Sequence, residues 1–311
     1  MTEPAPWLSV IVPTWNDGTA LEEAIASVTA QQGAGVAELG VELVIVDDGS
    51  TDDTPARIDR LVAASPLRWN VLFQSNRGPS AARNAGLRLA TAPHLLFFDA
   101  DDVLLPGALG FFRQALSQHP CDMVFGGRVE FDGTNRRAVK QPPLTGNRAR
   151  DLADFLLRRR PAIGQGCAVY ARRVFDRLSW PEDIRAGEDR ILHAQALALF
   201  DCHAFAQPVA ELRENRTRSL GRGTERWRDI LASVDRIFDP ALLPPDLMAL
   251  KPDYEAYIHL SLCRLFQRAG EGARALPHYR RALSLAPLQA LKPRQLARGA
   301  AALWGALRSS G

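Results

Sequence analysis

The fold is decided by the stretch Val41-Glu-Leu-Val-Ile-Val-Asp-Asp-Gly-Ser-Thr-Asp52, in which a run of mainly apolar β-forming residues leads into an acidic turn. Three similar runs flank it, at Leu8 to Val12, Trp69 to Phe73 and His94 to Phe98. Segments with apolar residues at helical spacing lie between the runs, at Thr19 to Gln32, Thr54 to Ala64 and Ser80 to Ala90. This alternation predicts βαβ units, and continuous apolar strands predict a parallel sheet that helices cover on both faces.

The composition is that of an ordinary globular protein, with 46% hydrophobic and 23% charged residues in a chain of 311. This length favours two domains and allows a sizeable core. The net charge of +3 gives no reason to expect nucleic acid as a partner. The charge is unevenly distributed, because the segment from Lys251 to the end carries ten basic and three acidic residues. We therefore expect a slightly acidic body with a basic C-terminal region.

Cysteine spacing and hydropathy bear on the cellular location. The four cysteines lie far apart and form no Cys-x-x-Cys pair, which argues against a zinc ribbon and a disulfide framework. The N-terminal residues do not resemble a secretory signal, and no stretch approaches the roughly 20 apolar residues that cross a bilayer. We expect a cytoplasmic protein with at most peripheral contact at the inner face of the membrane.

Acidic clusters follow two of the predicted strands, at the edge where parallel α/β sheets bind ligands. Asp99-Ala-Asp-Asp102 holds three carboxylates in four residues, and a shared divalent cation would relieve their repulsion. The alternative is an acidic turn that caps a helix beginning near Pro106. Asp47-Asp-Gly-Ser-Thr-Asp52 likewise has two interpretations: a helix N-cap, or a carboxylate that accepts hydrogen bonds from a nucleotide base or ribose.

Four motifs together resemble those of family 2 glycosyltransferases of the GT-A fold. They are Leu8-Ser-Val-Ile-Val-Pro-Thr-Trp-Asn16, Glu42 to Asp52, Gly78-Pro-Ser-Ala-Ala-Arg-Asn-Ala-Gly-Leu87 and Phe97-Phe-Asp-Ala-Asp-Asp102. Their order and spacing are those of the family, and Gly187-Glu-Asp189 resembles its Glu-Asp motif at the start of a helix. The resemblance covers about the first 220 residues and implies a Rossmann-like, mostly parallel sheet with helices on both faces.

The resemblance implies a metal-dependent, inverting transfer of one sugar from a nucleotide sugar, with a UDP-sugar as the expected donor. The expected acceptor is a hydroxyl of a glycan or a lipid-linked glycan, in the synthesis of a cell-surface polysaccharide or glycoconjugate. Carried over by position, the nucleotide-binding residues are Pro13, Thr14, Asn16, Asp48, Gly78, Arg83, Asp99 and Arg216. Asp101 is the expected direct ligand of Mn²⁺ or Mg²⁺, with Asp99 and Asp102 as further metal ligands, and Asp102 has donor-sugar binding as an alternative role.

The transfer builds negative charge on the departing diphosphate and needs a base for the attacking hydroxyl. Asp189 is the candidate base, and Glu188 is the candidate for binding acceptor or donor hydroxyls. The alternative for both is a structural role, since acidic residues are favoured at a helix N-terminus. Gly164 to Tyr170 resembles the stretch that backs the acceptor site, and Trp180 is either a sugar-stacking residue or a packing residue.

An arginine-rich segment follows at Arg213 to Ser219, where many relatives carry a histidine that reaches the metal or diphosphate. Asn215 or Arg216 stands near that place here. The arginines at 213, 216, 218 and 222 either clamp phosphate or form a solvated basic loop. Gly223 replaces the glutamine of the Gln-x-x-Arg-Trp motif of processive members, which predicts a single addition rather than polymer synthesis.

The C-terminal region from Ala256 to Pro287 resembles one tetratricopeptide repeat. A single repeat does not build a solenoid, so this hairpin is expected to pack on the catalytic domain, with docking of a partner or of an anionic membrane as the alternative. The basic and aromatic residues that favour the membrane are Lys292, Arg294, Arg298, Trp304 and Arg308. The predicted domains are a catalytic domain of residues 1–235, divided at residue 102 into nucleotide and acceptor halves, and a helical region of residues 236–311.

Two other functions compete with sugar transfer. A sugar-nucleotide pyrophosphorylase would need a glycine-rich, basic loop after the first strand, and Pro13 to Asn16 contains neither glycine nor a basic residue. A non-catalytic scaffold that uses the helical hairpin would not need Asp48, Asp101 and Asp189, which are all present. The sequence therefore favours an enzyme, and it leaves the oligomeric state undetermined.

Overall fold

The structure is a computed structural model that describes residues 5–31, 40–65, 67–213 and 226–308, with side chains as far as residue 303. The chain divides into two compact units. The first, here called the sheet unit, is Met1–Gly146 with Arg160–Ser219, and the second, the helical unit, is Asn147–Arg159 with Leu220–Gly311. Among the described residues, every helix is too short or too polar to cross a membrane.

The strands of the described residues lie in the sheet unit. They are β1 (Leu8–Thr14), β2 (Val41–Asp47), β3 (Arg68–Phe73), β4 (His94–Phe97), β5 (Val103–Leu104), β6 (Met123–Phe131), β7 (Arg136–Val139), β8 (Ala168–Ala171) and β9 (Cys202–Arg213). They form one sheet in the order β3-β2-β1-β4-β8-β6-β9-β5, with β7 paired to β6. The first four strands of this order are parallel, so their carboxyl ends meet at one edge.

The second half of the sheet is mixed. β8 is antiparallel to both β4 and β6, whereas β9 runs parallel to β6 and antiparallel to β5. The expectation of a mostly parallel sheet therefore holds for β1 to β4 and for the β6–β9 pair, whereas the other pairs of the second half are antiparallel. β6 and β7 form a hairpin, and a short turn of this kind joins antiparallel strands.

The helices of the described residues occur in both units. They are α1 (Gly18–Thr29), α2 (Thr54–Ala64), α3 (Pro79–Leu89), α4 (Ala108–Gln118), α5 (Arg148–Leu156), α6 (Glu188–Leu199), α7 (Trp227–Ile237), α8 (Pro245–Met248), α9 (Lys251–Arg268), α10 (Gly272–Leu285), α11 (Pro287–Ala290) and α12 (Pro293–Arg308), with a 3₁₀ helix at Arg172–Asp176. Helices α1 to α3 have bounds close to those that periodicity predicts. Helix α5 groups with the helical unit, which the sequence analysis did not anticipate.

Helices cover both faces of the parallel strands, as predicted. Val10 and Val12 of β1 point to one face and join the main core with Leu21 and Ile25 of α1. On the other face, Ala82 and Ala85 of α3 pack against Val46 of β2. Gly86 permits the close approach of α3, since a Cβ there would lie 2.4 Å from the Ile11 side chain. The α/β fold inferred from the alternating pattern is therefore confirmed.

A buried carboxylate joins the amino ends of the parallel strands. Glu42 is fully buried and stands in register beside Ser9. It accepts hydrogen bonds from Ser9 Oγ at 2.5 Å, Thr91 Oγ1 at 2.8 Å and the Ala92 amide at 3.2 Å. Burial disfavours the charged form, but the hydrogen bonds from Ser9, Thr91 and Ala92 outweigh burial and lower the pKa of Glu42. The carboxylate thereby fixes β2 to β1 and to the segment that enters β4.

In the helical unit, α9 and α10 form the hairpin that the sequence predicts. Gly270 makes the turn with a φ of +76°, a left-handed conformation that favours glycine. Small residues at the interface let the two helices pack closely. Ala256 lies on α9, Ala282 lies on α10, and Ala286 directly follows α10. The assignment of this hairpin to the tetratricopeptide class stays a prediction.

We expect Glu42→Gln to destabilise the sheet unit by about 2 kcal/mol at pH 7, because an amide replaces a charged acceptor and presents a donor to the Thr91 and Ala92 amides. Urea denaturation measures the loss. Because the folded pKa of Glu42 is lowered, the carboxylate contributes fully above its unfolded pKa of about 4.3 and loses that contribution as the pH falls through the folded value.

The stability difference between the wild type and Glu42→Gln should therefore shrink in acid. Asp59→Asn is the matched control, because Asp59 is exposed on α2 and its loss should change stability by less than about 0.5 kcal/mol. An equal effect of both substitutions at pH 7 would contradict the assigned role of Glu42.

Candidate active site

Asp48 organises the carboxyl edge of the parallel strands. It follows β2 and is 4% exposed. Its Oδ1 accepts hydrogen bonds from the Arg77 amide at 2.9 Å and Gln74 Nε2 at 2.7 Å, and its Oδ2 accepts one from the Gly78 amide at 2.7 Å. The carboxylate therefore holds the loop that enters α3. The sequence predicts a base or ribose contact for this residue, and the structure adds this loop-ordering role.

The turns after β1 and β2 are joined to each other. The Asn16 amide donates to Ser50 Oγ at 2.8 Å, and Asn16 Oδ1 accepts from the Thr51 amide at 2.7 Å. Gly49 has a φ of +76°, and a Cβ at this position would lie 2.7 Å from the Asn76 amide nitrogen. The Asp-Asp-Gly-Ser motif thus needs its glycine both for backbone conformation and for close approach of a third loop.

Two buried hydroxyls and two exposed aromatic rings lie at this edge. The hydroxyls of Thr14, at the end of β1, and Ser80, in the first turn of α3, are buried and accept or donate no hydrogen bond within the described residues. Trp15 is 47% exposed and Phe73, at the end of β3, is 50% exposed. Exposed aromatic rings beside polar groups form a surface suited to a flat base. The sequence analysis did not single out Phe73, although its position at a strand end was visible.

Arg83 lies at the centre of the site and pairs with both acidic motifs. It is 4% exposed, and its guanidinium donates to Asp99 Oδ1 at 2.8 Å and to Glu188 Oε1 at 3.2 Å. Burial disfavours the charged form, but the charges of Asp99 and Glu188 outweigh it and raise the pKa of Arg83. The sequence places Arg83 in the nucleotide pocket, whereas its guanidinium here joins two carboxylates that are far apart in the chain.

The face of the Arg83 guanidinium is also covered. It lies 4.7 Å from the centroid of the Trp180 ring. Trp180 is buried, and its ring centroid lies 5.1 Å from that of Phe97 in an edge-on contact. The Trp180 backbone donates to and accepts from the side-chain amide of Asn84. Of the two roles considered for Trp180, the structure shows packing. The indole supports Arg83 and does not present a face to a sugar.

The turn after β4 gives its three carboxylates different environments. Asp99 pairs with Arg83, and Asp101 is partly exposed. Asp102 is 5% exposed, and its Oδ1 accepts a hydrogen bond from the Arg213 amide at 3.1 Å. Burial, together with the charges of Asp99 and Asp101, raises the pKa of Asp102 well above its ordinary value. The three carboxylates therefore repel one another, as the sequence implies.

The second acidic motif begins α6. Gly187 precedes it with a φ of +86°, and Glu188 and Asp189 occupy the first turn. Burial raises the pKa of Glu188 and the Asp189 charge adds to this, whereas Arg83 opposes it. Asp189 Oδ1 accepts from the Arg190 amide at 2.7 Å. One turn later, burial lowers the pKa of His193 to about 4, so a neutral imidazole lies behind Asp189 at pH 7.

The carboxylates at this edge fit a divalent cation only if a bound ligand supplies further oxygen atoms. Within the described ranges, no three histidine, cysteine or carboxylate side chains are grouped so as to hold a metal ion. Mg²⁺ and Mn²⁺ commonly take one or two carboxylates and complete their shell with phosphate oxygens and water. The hard oxygens and mutual repulsion at Asp99, Asp101 and Asp102 fit that mode. Asp101 is partly exposed and stays the candidate for the direct ligand.

The arginine-rich segment is only partly described. Arg213 pairs with Glu23 through both terminal nitrogens, at 2.5 and 2.6 Å, so its guanidinium is engaged in the sheet unit. The phosphate-clamp alternative for Arg213 stays a prediction. The other candidates of that segment, Asn215, Arg216, Arg218, Arg222 and Gly223, lie outside the described residues. The side chains of Trp304 and Arg308 also lie outside them.

Solved structures of two proteins share this fold. TarS residues 1–349 of S. aureus, in complex with UDP-GlcNAc, superposes with a TM-score of 0.67 at 17% identity over 96% of this chain and 89% of that chain. The mannosyltransferase PcManGT of Pyrobaculum calidifontis, in complex with GDP-Man and Mn²⁺, gives a TM-score of 0.57 at 21% identity over 99% and 89% of the two chains. The sheet unit therefore has a GT-A fold.

Sequence comparison establishes the family. Residues 9–179, more than half of the chain, match Glycosyl transferase family 2, and the chain belongs to this family. The succinoglycan biosynthesis protein ExoU of Rhizobium meliloti is 34% identical over 217 residues, which are 64% of this chain and 59% of that protein. The GalNAc(5)-diNAcBac-PP-undecaprenol beta-1,3-glucosyltransferase of Campylobacter jejuni is 28% identical over 184 residues, which are 59% of this chain and 57% of that protein.

We expect Arg83 and Glu188 to be strongly coupled, because breaking a buried ion pair leaves an uncompensated charge at a cost of about 3–5 kcal/mol. Arg83→Met should therefore be destabilising alone and much less so when combined with Glu188→Gln. Urea denaturation of the wild type, both single variants and the double variant yields the coupling energy.

The Arg77–Glu182 pair is the matched control for this cycle. Its side chains are 57% and 40% exposed, against 5% and 16% for Arg83 and Glu188. Solvent screening should keep the coupling energy of this surface pair below about 1 kcal/mol. A coupling no larger in the buried pair than in the surface pair would show that Arg83 does not hold the site together.

Proposed function

We propose that this chain is an inverting glycosyltransferase that moves one sugar from a nucleotide sugar to an acceptor hydroxyl. The observation that carries this proposal is the ion-paired cluster at the carboxyl edge of the parallel strands, where Arg83 joins Asp99 of one acidic motif to Glu188 of the other. A donor-binding acidic turn and a second carboxylate pair in one site are what displacement at an anomeric carbon requires. Membership of glycosyl transferase family 2 supports the same reaction.

The nucleotide is proposed to bind where the turns after β1, β2 and β3 meet. Pro13, Thr14 and Asn16 would border the base, with Asp48 and Gly78 beside the ribose. The buried, unpartnered hydroxyls of Thr14 and Ser80 and the exposed ring of Phe73 support this location within the part of the chain described. We propose UDP as the nucleotide, since TarS, whose fold is shared, was solved with UDP-GlcNAc.

Asp101 is proposed to hold Mn²⁺ or Mg²⁺ together with the donor diphosphate, with Asp99 reaching the ion or the ribose and Asp102 reaching the ion or the donor sugar. A cation bound there would neutralise the charge that develops on the departing diphosphate. The protein contributes the carboxylates and places a donor against two of them: Arg83 pairs with Asp99, and the Arg213 amide donates to Asp102.

Asp189 is proposed as the base that takes the proton of the attacking hydroxyl. Glu188 Oε1 accepts from Arg83, whereas Asp189 has no cationic side chain within ion-pair distance in the described residues. Asp189 therefore breaks no ion pair of the described residues when it takes a proton, and Glu188 is left to position hydroxyls through its second oxygen. The polar loop around Gln165, which is buried beside Phe97, would back the acceptor.

The acceptor is proposed to be a glycan or a lipid-linked glycan in cell-surface polysaccharide or glycoconjugate synthesis. ExoU, a relative, is a succinoglycan biosynthesis protein, and the Campylobacter jejuni relative is a glucosyltransferase named for an undecaprenol-linked glycan. Such acceptors are consistent with the expected location at the cytoplasmic face of a membrane, which stays a prediction.

Asp101→Asn should weaken UDP binding in the presence of Mn²⁺ by about tenfold or more, because one charge-assisted metal contact is lost. Isothermal titration calorimetry with UDP, with and without Mn²⁺, measures the effect. In EDTA the variant and the wild type should bind UDP alike. A loss of affinity that is equally large without the metal would contradict a metal-ligand role.

Asp189→Asn should leave UDP binding intact and slow sugar transfer by about 10²–10⁴-fold, since a positioned base contributes that much. Single-turnover transfer of radiolabelled sugar to acceptor, beside calorimetric donor binding, separates the two steps. Asp183→Asn is the matched control, because Asp183 is an exposed acid in the segment before α6. Transfer by Asp189→Asn at the wild-type rate would show that another group is the base.

A further inference from the structure

A basic cavity lies in the helical unit and takes no part in the proposed transfer. Its volume is about 350 Å³, which is in the range of pockets that bind small molecules. The segment after α5, one side of α9, and the residues of α11 and α12 with their connection supply its walls. All of these belong to one compact unit, so the cavity is a feature of that unit alone.

Four basic side chains line this cavity: Arg159, Arg264, Lys292 and Arg298. No acidic residue is among its lining residues. Arg159 Nη1 lies 3.5 Å from Asp154 Oδ1. In the described ranges, no carboxylate lies within ion-pair distance of Arg264, Lys292 or Arg298. Cations that converge without a counter-charge repel one another, and a bound anion removes that repulsion.

A buried amide oxygen adds a second requirement. Gln289 is a lining residue of the same cavity, and its side-chain oxygen Oε1 is buried and accepts no hydrogen bond within the described residues. A buried acceptor of this kind costs free energy until a donor reaches it. The cavity therefore calls for a ligand that carries both an anionic group for the cations and a hydroxyl for Gln289. Tyr257 and Leu260 supply an apolar wall for its carbon skeleton.

We propose that the helical unit binds a phosphate ester of a polyol or sugar in this cavity. Arg264, Lys292 and Arg298 bind the phosphate, and Gln289 accepts a hydrogen bond from a hydroxyl. A phosphate matches three cations better than a carboxylate does, because it carries up to two negative charges and offers three acceptor oxygens, and guanidinium groups bind it through paired hydrogen bonds. Soluble sugar or glycerol phosphates are such monoesters. The headgroup of phosphatidylglycerol offers a related combination, a glycerol phosphate diester with one negative charge and free hydroxyls.

Titration of the full chain with glycerol 1-phosphate in EDTA, by isothermal titration calorimetry, tests the proposal without donor, acceptor or metal. Failure here would thus leave the proposed transferase function untouched. The cavity variant is Arg264→Gln with Lys292→Gln, and its Kd should rise about tenfold or more. The matched control is Arg268→Gln with Arg294→Gln, which removes the same charge from the same helical segments outside the cavity and should change Kd by less than about twofold.

Glycerol alone should not bind, and circular dichroism should show both double variants folded. Equal weakening in the cavity and control variants would overturn the proposal, because it would mean attraction by the basic surface as a whole. Absence of wild-type binding at millimolar glycerol 1-phosphate would also overturn it. Preserved binding in a folded cavity variant would do the same.

Sedimentation with phosphatidylglycerol and phosphatidylcholine vesicles then separates the two sources of the phosphate. Selective binding to phosphatidylglycerol that glycerol 1-phosphate displaces, and that the cavity variant loses, supports the headgroup as the occupant. Binding of glycerol 1-phosphate without vesicle binding supports a soluble ester. Vesicle binding that the control variant loses as fully as the cavity variant overturns the assignment of the phosphate to the cavity.

Discussion

The buried Arg83 guanidinium is the constraint on which the rest of the site depends. Its position follows from a chain of local requirements that starts at the end of β2. Asp48 accepts three hydrogen bonds from residues 74–78 and so fixes where α3 begins. Arg83 lies about one turn after the start of α3, and this position places its guanidinium between Asp99 and Glu188. A buried cation with one partner would be unstable there, and the two carboxylates would repel each other without it.

This arrangement explains how several carboxylates coexist at one sheet edge. Their surroundings differ. Loop amides donate hydrogen bonds to Asp48, and one guanidinium pairs with Asp99 and Glu188. A backbone amide donates to Asp102, and Asp189 lies at a helix N-terminus. Hydrogen bonds, ion pairing and the helix dipole all stabilise the ionised form, whereas burial opposes it. Burial raises the pKa of Asp102 and of Glu188, two of the acids for which different roles are proposed.

The strands and helices of the first hundred residues were predictable from the sequence. An unbroken apolar run indicates a strand that is buried on both faces, and apolar residues at helical spacing indicate a helix with one buried face. The later strands were not predictable in this way. Strand β9 in particular is not evident from the sequence, because Pro208 interrupts its pattern. Pro208 is tolerated where the β6–β9 register shifts beside Gly127, so no regular ladder hydrogen bond is lost there. That irregularity becomes visible only when the partner strand is known.

The site shows the same limit. Its acidic residues were found from motifs, but their partners were not, since Arg83 and Glu188 are 105 residues apart in sequence. Glu42 looked like a polar interruption of an apolar strand, yet it is the residue that ties the strands' amino ends together. In both cases a buried charge has meaning only through its partners, and partners are set by tertiary structure.

The environments of Glu188 and Asp189 also decide between two neighbouring candidates for one role. Both stand in the first turn of α6, so the helix dipole favours ionisation of each. Glu188 is the more buried group, with a raised pKa and an oxygen committed to Arg83, and a proton placed on it would weaken the ion pair that holds the site. Asp189 can take a proton without that loss. The proposed division of labour between the two adjacent acids therefore rests on which of them the fold needs to keep in an ion pair.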